Sequence, residues 1–258
     1  MFAIYKKEMR SYFINPIGYV YLGIFLAISA FLCCFTTLKA NSYDTSTYFI
    51  YMIFAFAILI PLLTMRSFSE EKKLKTEQML LTAPVTITGM VMGKYLAAFT
   101  MFISTVIISC VNFIPLYLIA GEERAMVAAT ASPTIGPETA KIVGSLIGII
   151  LLGAALIAIG IFISSLTESQ LSAAVITIGV ILFMIILSYI NTIGSDEAGT
   201  RLISNFVVRS IIDWISVLSR FFNFGYGIFD FSALIYYLSI SFVCIFLTVR
   251  VYEKRRWG

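Results

Sequence analysis

The sequence VGSLIGIILLGAALIAIGIFIS occupies residues 143–164 and contains no charged side chain. A helix crosses the hydrocarbon core of a bilayer with about 20 mostly apolar residues, so this stretch predicts a membrane span. The rest of the chain has the same character, because 60% of its 258 residues are hydrophobic and only 12% are charged. Soluble domains average about 25% charged residues. We therefore take the bilayer to be the solvent of this protein.

Five further apolar runs are long enough to cross a bilayer. Together with residues 143–164 they predict six spans, at about 17–38, 47–65, 95–119, 143–164, 171–190 and 231–250. The fourth and fifth runs are separated only by the residues around Glu168, which predicts a tight helical hairpin. The fold class is therefore an all-α polytopic membrane protein, with residues 1–258 forming a single transmembrane domain.

Basic residues are divided unequally between the two sides of the membrane. With the N-terminus inside, the inner side carries twelve Lys and Arg residues and the outer side six, which together make the 18 of the chain. Cytoplasmic segments carry an excess of such residues, so we predict that both termini are cytoplasmic. Lys39, Arg66, Lys94, Asp230 and Arg250 fall at predicted span ends, where long side chains can reach the headgroups.

Residues 1–16 mix apolar and basic side chains before the Asn15-Pro16 step. This pattern predicts a helix that lies on the cytoplasmic leaflet and ends at that step, whereas the alternative is a frayed basic tail. On the outer side, residues 121–141 contain Gly, Pro and Thr and are expected to be irregular.

An extracellular amphipathic or re-entrant helix is predicted within residues 191–230. Its narrow polar stripe consists of Arg209, Asp213, Ser216 and Arg220 among apolar residues. A breaker is expected next, formed by residues 223–227 with Asn223, Gly225 and Gly227. In the fourth span, Gly144 and Gly148 form a G-x-x-x-G pair, which permits close approach of another helix. We expect it to pack within one subunit rather than at a dimer contact.

Several kinds of chemistry are excluded by the composition. The chain has no histidine, which removes histidine-based general bases, Ser-His triads and H-E-x-x-H metal sites. The sequence GMVMGKY at residues 89–95 fails the phosphate-loop pattern, because Tyr95 stands where the hydroxyl ligand belongs. No cofactor is therefore expected in this chain. The net charge of +4 is too small to indicate a nucleic-acid partner.

One charged segment, RSFSEEKKLKTEQMLLTAP at residues 66–84, separates the second and third apolar runs. Its acids precede its bases, which favours a helix that continues from the second span. Thr76 can cap a further short helix, on which Leu80 and Leu81 form an apolar edge before Pro84. A solvated loop explains the charges, but an apolar edge on a cytoplasmic helix indicates a partner surface.

This segment resembles the region between spans two and three of ATP-binding-cassette (ABC) type 2 transporter permeases. The matching residues are Glu71, Lys72, Thr76, Glu77, Leu80, Leu81, Pro84, Gly93 and Lys94. Lys75 departs from the pattern, because a glycine is common at that position. The N-terminal KKEMRSYFINPIGYV also resembles the family, and FDFSALIYYLSISFVCIFLTVRVYEKRRW resembles the ending of its gliding-motility permease-like subgroup.

The resemblance implies a permease in the plasma membrane of a bacterial or archaeal cell. It would pair with an identical or related permease and dock a separate cytoplasmic ABC ATPase, which would hold ATP and magnesium, so the chain itself would not be an enzyme. The residues implied to contact that ATPase are Glu71, Lys72, Thr76, Glu77, Gln78, Leu80 and Leu81, within a coupling region of residues 66–94, and Glu168 in the inner turn. The first, second and fifth spans would line the pathway, and the outer helix with Arg209, Asp213 and Arg220 would close it.

Two functions are compatible with such a subunit. It could export a substrate with ATP hydrolysed by its partner, or it could transmit motion to a large extracytoplasmic accessory protein without moving a solute. The bulky Tyr48, Phe49, Tyr51, Phe54 and Phe56 of the second span could block a passage or line one. An intramembrane enzyme is a third possibility, which the lack of histidine and of charged residues in mid-span disfavours.

Overall fold

The computed structural model describes residues 1–39, 43–78, 85–127, 136–193 and 216–257, and every regular element within these ranges is helical. A helix satisfies its own backbone hydrogen bonds, which a chain in hydrocarbon must do. Six helical stretches are long and apolar enough to cross a membrane. The predicted fold class, all-α and polytopic with six spans, is therefore confirmed.

Ten α-helices make up this part of the chain. They are α1 Phe2–Ile14, α2 Pro16–Cys33, α3 Ser46–Thr64, α4 Ser69–Lys73, α5 Ile87–Ser109, α6 Ile114–Val127, α7 Thr139–Leu166, α8 Gln170–Ile193, α9 Val217–Gly225 and α10 Phe231–Trp257. A π-helical turn, Cys34–Leu38, extends α2, and a 3-10 turn, Cys110–Phe113, joins α5 to α6. Turns also join α3 to α4, so the spans run over Pro16–Leu38, Ser46–Lys73, Ile87–Glu123, α7, Gln170–Ser188 and Phe231–Arg256.

Most of the predicted breaks agree with the structure. Helix α1 is a regular helix rather than a frayed tail, and Asn15 is extended before Pro16 opens α2. Three residues, 167–169, separate α7 from α8, as predicted for a hairpin. The third span instead begins at Ile87, well before the predicted residue 95, because the hydroxyl of Thr86 accepts a hydrogen bond from the Gly89 amide and caps the helix there.

Two predictions for the outer segments are wrong. Residues 121–127 are not irregular, because α6 continues through Gly121 to Val127; a glycine inside a helix costs only about 1 kcal/mol. Residues 223–225 belong to α9, and the break falls at residues 226–230, where Gly227 has a φ of +76°. Arg209 and Asp213 lie outside the described residues.

Helix α7 is the central element of the bundle. It packs against α3, α5, α8, α9 and α10, and 72% of its most apolar window is buried. The corresponding windows of α2, α8 and α10 are only 28% buried. Most residues in these three windows are therefore not fully buried within the chain, which leaves these helices accessible to the lipid or to another protein.

The small residues of α7 allow close approach by other parts of the same chain. A Cβ atom on Gly144 would lie 2.8 Å from the carbonyl oxygen of Phe224, and one on Gly148 would lie 2.9 Å from the Cβ of Phe224. Both contacts are with α9. The G-x-x-x-G pair therefore packs within the subunit and is not available to a second copy.

Aromatic rings fill the middle of the bundle between α2, α3, α5 and α7. Tyr48, Phe49 and Phe56 of α3 are at most 2% exposed, whereas Tyr51 is 44% exposed and points out of the bundle. The cavity between these buried rings measures about 10 Å³. That volume is at the lower limit for a single water molecule.

Candidate functional site

The two ends of the chain and the predicted coupling region meet at one end of the bundle, which we call the basal end. It consists of α1, residues 66–78, the first two turns of α5, the turn at 167–169 and the last two turns of α10. Each of these segments bonds to at least one of the others, the turn at 167–169 through the Thr167 carbonyl oxygen and the rest through side chains. The opposite end, with α9 and residues 226–230, is called the apical end.

Lys94 is at the centre of the basal end and is only 2% exposed. Its ammonium lies 2.9 Å from Glu71 Oε2 and 3.4 Å from Glu8 Oε1, and it also donates to the carbonyl oxygen of Ser67. Lys7 Nζ lies 3.5 Å from the other carboxylate oxygen of Glu71. The ammonium groups of Lys94 and Lys7 thus balance the carboxylates of Glu8 and Glu71. A buried charge is tolerated only when an opposite charge balances it.

The prediction that Lys94 reaches the headgroups from a span end is wrong. Because α5 begins at Ile87, Lys94 lies two turns inside the helix and points inward. The preceding Gly93 allows α1 to pack closely, since a Cβ atom there would lie 3.2 Å from both Ile4 Cγ2 and the Met1 carbonyl oxygen. The Gly-Lys pair therefore joins α5 to α1 by packing and by charge.

The segment after α3 is bound to the α7–α8 hairpin. The ammonium of Lys72 donates to the carbonyl oxygens of Ser165 and, at 3.1 Å, Thr167. These carbonyls belong to the C-terminus of α7, where a lysine commonly satisfies groups that lack an intrahelical partner. The Ser164 hydroxyl accepts bonds from the backbone amides of Phe68 and Ser69 at 3.2 and 3.3 Å.

The C-terminal turns of α10 complete the basal end. Arg255 Nη1 donates to Glu77 Oε1 at 2.9 Å, and its Nη2 donates to the Ser165 carbonyl oxygen at 3.2 Å. The ring of Tyr252 packs against the fully buried Phe68 with centroids 4.8 Å apart. Residues 66–78 are thus bonded to α1, α5, α7 and α10.

The residues predicted to contact an ATPase fall into three groups. Glu71, Lys72 and Glu77 are engaged in the internal bonds described above. Thr76 is exposed and bonds the Glu71 carbonyl oxygen at 3.3 Å, while Glu168 is exposed in the turn beside Lys72. Gln78 is exposed, and Leu80 and Leu81 lie outside the described residues.

The sequence analysis did not predict that Glu8, Lys94 and Arg255 belong to this site. An isolated acid among the bases of α1 could have indicated Glu8, because such a residue commonly has a basic partner elsewhere in the fold. The backbone at Lys75 explains why a glycine is common at this position of the family pattern, since its φ of +55° is a conformation that glycine adopts most easily.

An open cleft of about 480 Å³ lies between α1, α4 and α5. The charged residues along it are paired, with Arg66 Nη2 bonded to Glu70 Oε1 at 2.8 Å and Lys94 bonded as above. Within the described ranges, no cluster of three or more Cys, Asp or Glu side chains is placed to hold a metal ion.

At the apical end, Arg220 is the one residue of the predicted gate that the described ranges include. Its guanidinium lies over the ring of Tyr236, 4.2 Å from the centroid, and its Nη1 is 3.3 Å from the Ser232 hydroxyl. The Tyr237 hydroxyl donates to the Val217 carbonyl oxygen at 2.8 Å, which ties α9 to α10. The Asn223 amide and the Ser232 N–H hold the pKa of Asp230 below its ordinary value.

These observations define a polytopic helical membrane protein in which the charged segment between spans two and three is bonded to both ends of the chain. Residues 2–224 match the family model of the ABC-2 family transporter proteins, and the chain belongs to this family. It is thus a transmembrane permease of the ABC transporter class. A search of curated proteins gave no match. Membership of the gliding-motility subgroup stays a prediction.

Proposed function

We propose that the chain is the permease subunit of an ABC exporter in the plasma membrane of a bacterial or archaeal cell, with both termini cytoplasmic. A separate cytoplasmic ATPase would hydrolyse ATP and drive substrate export through a pair of permeases. Family membership supports the permease role. The basic residues of the basal end support its cytoplasmic position, because they include most of the lysines and arginines of the chain.

The observation that carries the proposal is the set of bonds made by residues 66–78. A segment that receives force from an ATPase must be stiffly connected to the spans that move. Lys72 and Glu71 supply charge-assisted bonds, which are about twice as strong as neutral ones. Displacement of this segment would therefore move α1, α5, α7 and α10 with it.

The outer surface of the segment is suited to a protein partner. Leu74 is 63% exposed and is followed by the exposed Lys75 and Thr76. The rest of the described chain does not cover this face of the segment, so it is accessible to a partner protein. Leu80 and Leu81 follow in the sequence, outside the described residues.

We expect the double change Leu80→Asp with Leu81→Asp to abolish binding of the ATPase. Two buried anchor residues contribute at least about 4 kcal/mol together, roughly a thousandfold in Kd. The measurement is ATP hydrolysis in eluates after pull-down of the membrane-extracted permease. Ile228→Asp with Phe229→Asp is the matched control, because these adjacent exposed residues lie at the apical end. Equal ATPase activity in all three eluates would refute the proposal.

Mechanical transmission to an extracytoplasmic protein is the second candidate function. The filled interior favours it, because a cavity of about 10 Å³ leaves no passage between these rings. Export would instead use the seam between two permeases, where the weakly buried α2 and α8 offer apolar faces. In vesicles containing the complete complex, ATP-dependent solute accumulation is expected for export. For mechanical transmission, the expected result is ATPase stimulation by the outer protein without accumulation.

A further inference from the structure

A lateral groove lies at the apical end, below α9 and between α7, α8 and α10. Its volume is about 550 Å³, and Ile159 of α7 and Met184 of α8 form part of its inner wall. Ile235 and Val243 line the α10 side and are each 51% exposed, so the groove opens sideways out of the bundle. Arg220 stands at one end of it.

The groove has the depth of one leaflet. Its α10 wall runs from Ser232 to Cys244, which is about 18 Å at about 1.5 Å per residue. Half of the hydrocarbon core of a bilayer is about 15 Å. The hydroxyl of Ser239 donates to the Ile235 carbonyl oxygen at 2.7 Å, so it offers no free donor to the groove. The wall is therefore suited to an acyl chain.

Arg220 lines the outer end of the groove, and not all of its hydrogen-bonding groups are used. Its Nε is buried and has no hydrogen-bond partner, and Arg220 forms no ion pair with any of the described residues. Arg250 provides a contrast: it also lies over a ring, that of Phe246, but it pairs with Glu253 at 2.8 Å. A buried guanidinium N–H normally has an acceptor. The fork of a guanidinium matches both carboxylate and phosphate, and a phosphate is the acceptor that a membrane lipid supplies.

We propose that this groove binds one membrane phospholipid, whose phosphate accepts hydrogen bonds from Arg220 and whose acyl chain lies along α10. Asp230 interacts electrostatically with Arg220, and its carboxylate is held by Asn223 and by the Ser232 N–H. The local charge is thus near neutral. The phosphate, rather than a net negative headgroup, is therefore the recognised group, and the bound lipid braces α9 against α10.

The test uses the permease extracted into detergent from vesicles of phosphatidylethanolamine and phosphatidylglycerol, with bound lipid counted by native mass spectrometry. We expect the wild type to retain one lipid of either headgroup and Arg220→Gln to reduce this occupancy about tenfold. Arg250→Gln is the control and should behave as the wild type. Unchanged occupancy in Arg220→Gln, or an equal loss in both variants, would overturn the proposal.

A second variant tests the acyl chain without touching Arg220. Val243→Trp should fill the groove and lower the occupancy about tenfold, whereas Phe242→Trp should not, because Phe242 is 71% exposed and outside the groove. If Val243→Trp retains the lipid, no acyl chain lies there and the proposal is wrong. Displacement of the retained lipid by inorganic phosphate would also overturn it, since the site would then recognise the free anion. Each readout requires only the permease and is independent of the ATPase.

Discussion

Replacing Lys94 by methionine is expected to lower the free energy of unfolding by about 3–5 kcal/mol, the cost of removing one partner from a buried ion pair. Lys94 is 2% exposed and lies 2.9 and 3.4 Å from carboxylate oxygens of Glu71 and Glu8. These carboxylates are only 17% and 15% exposed, for Glu8 and Glu71 respectively, so water cannot replace the lost cation fully. The measurement is an SDS titration of the permease in mixed micelles.

Lys73→Met is the matched control for this prediction. Lys73 is exposed, and its loss should change the free energy of unfolding by no more than about 0.5 kcal/mol. Adding Glu8→Gln and Glu71→Gln to Lys94→Met should restore part of the lost stability, because the uncompensated charges are then gone. If Lys94→Met and Lys73→Met behave alike, Lys94 does not hold the basal end together.

The spans were predictable because the relevant signal is local. A run such as residues 143–164 needs no knowledge of its neighbours to be helical in a bilayer, and Asn15-Pro16 breaks a helix in any context. The turn at 167–169 followed from the same reasoning, because two long apolar runs leave only a few polar residues between them.

The environment of Lys94 was not predictable by such local reasoning. A hydropathy pattern treats a lysine as the end of a span, since an unpaired ammonium in hydrocarbon is costly. Here the partners Glu8 and Glu71 come from two other segments, and only the fold brings them to α5. Arg255 and Glu77 lie even farther apart in the sequence, and the sequence gives no sign of their pairing.

The small residues of α7 were also predictable only in their local aspect. Their spacing indicated close helix packing, but it could not identify the partner of each glycine. In the structure, Gly148 faces Phe224 of α9, Gly153 faces Phe102 of α5 and Gly160 faces Thr64 of α3. These three partners lie on separate helices, so their identities depend on the tertiary arrangement.

Replacing Gly153 by alanine is expected to lower the free energy of unfolding by about 1–3 kcal/mol, the usual cost of overpacking a core. The added Cβ atom would lie 2.2 Å from Cε1 and 2.4 Å from Cζ of Phe102. The ring cannot move away easily, because it is fully buried and its centroid lies 5.3 Å from that of Phe56 and 6.3 Å from that of Phe25. The SDS titration in mixed micelles measures this loss.

Gly179→Ala provides the matched control, since no heavy atom lies within 4 Å of the added Cβ at this exposed position of α8. Alanine favours a helix over glycine by about 1 kcal/mol, so this variant should be as stable as the wild type or more stable. Phe102→Leu combined with Gly153→Ala should be at least about 1 kcal/mol more stable than the sum of the single losses, because the shorter side chain relieves the overlap. Strictly additive losses would show that Gly153 and Phe102 do not meet, and that α5 does not pack on α7 at this level.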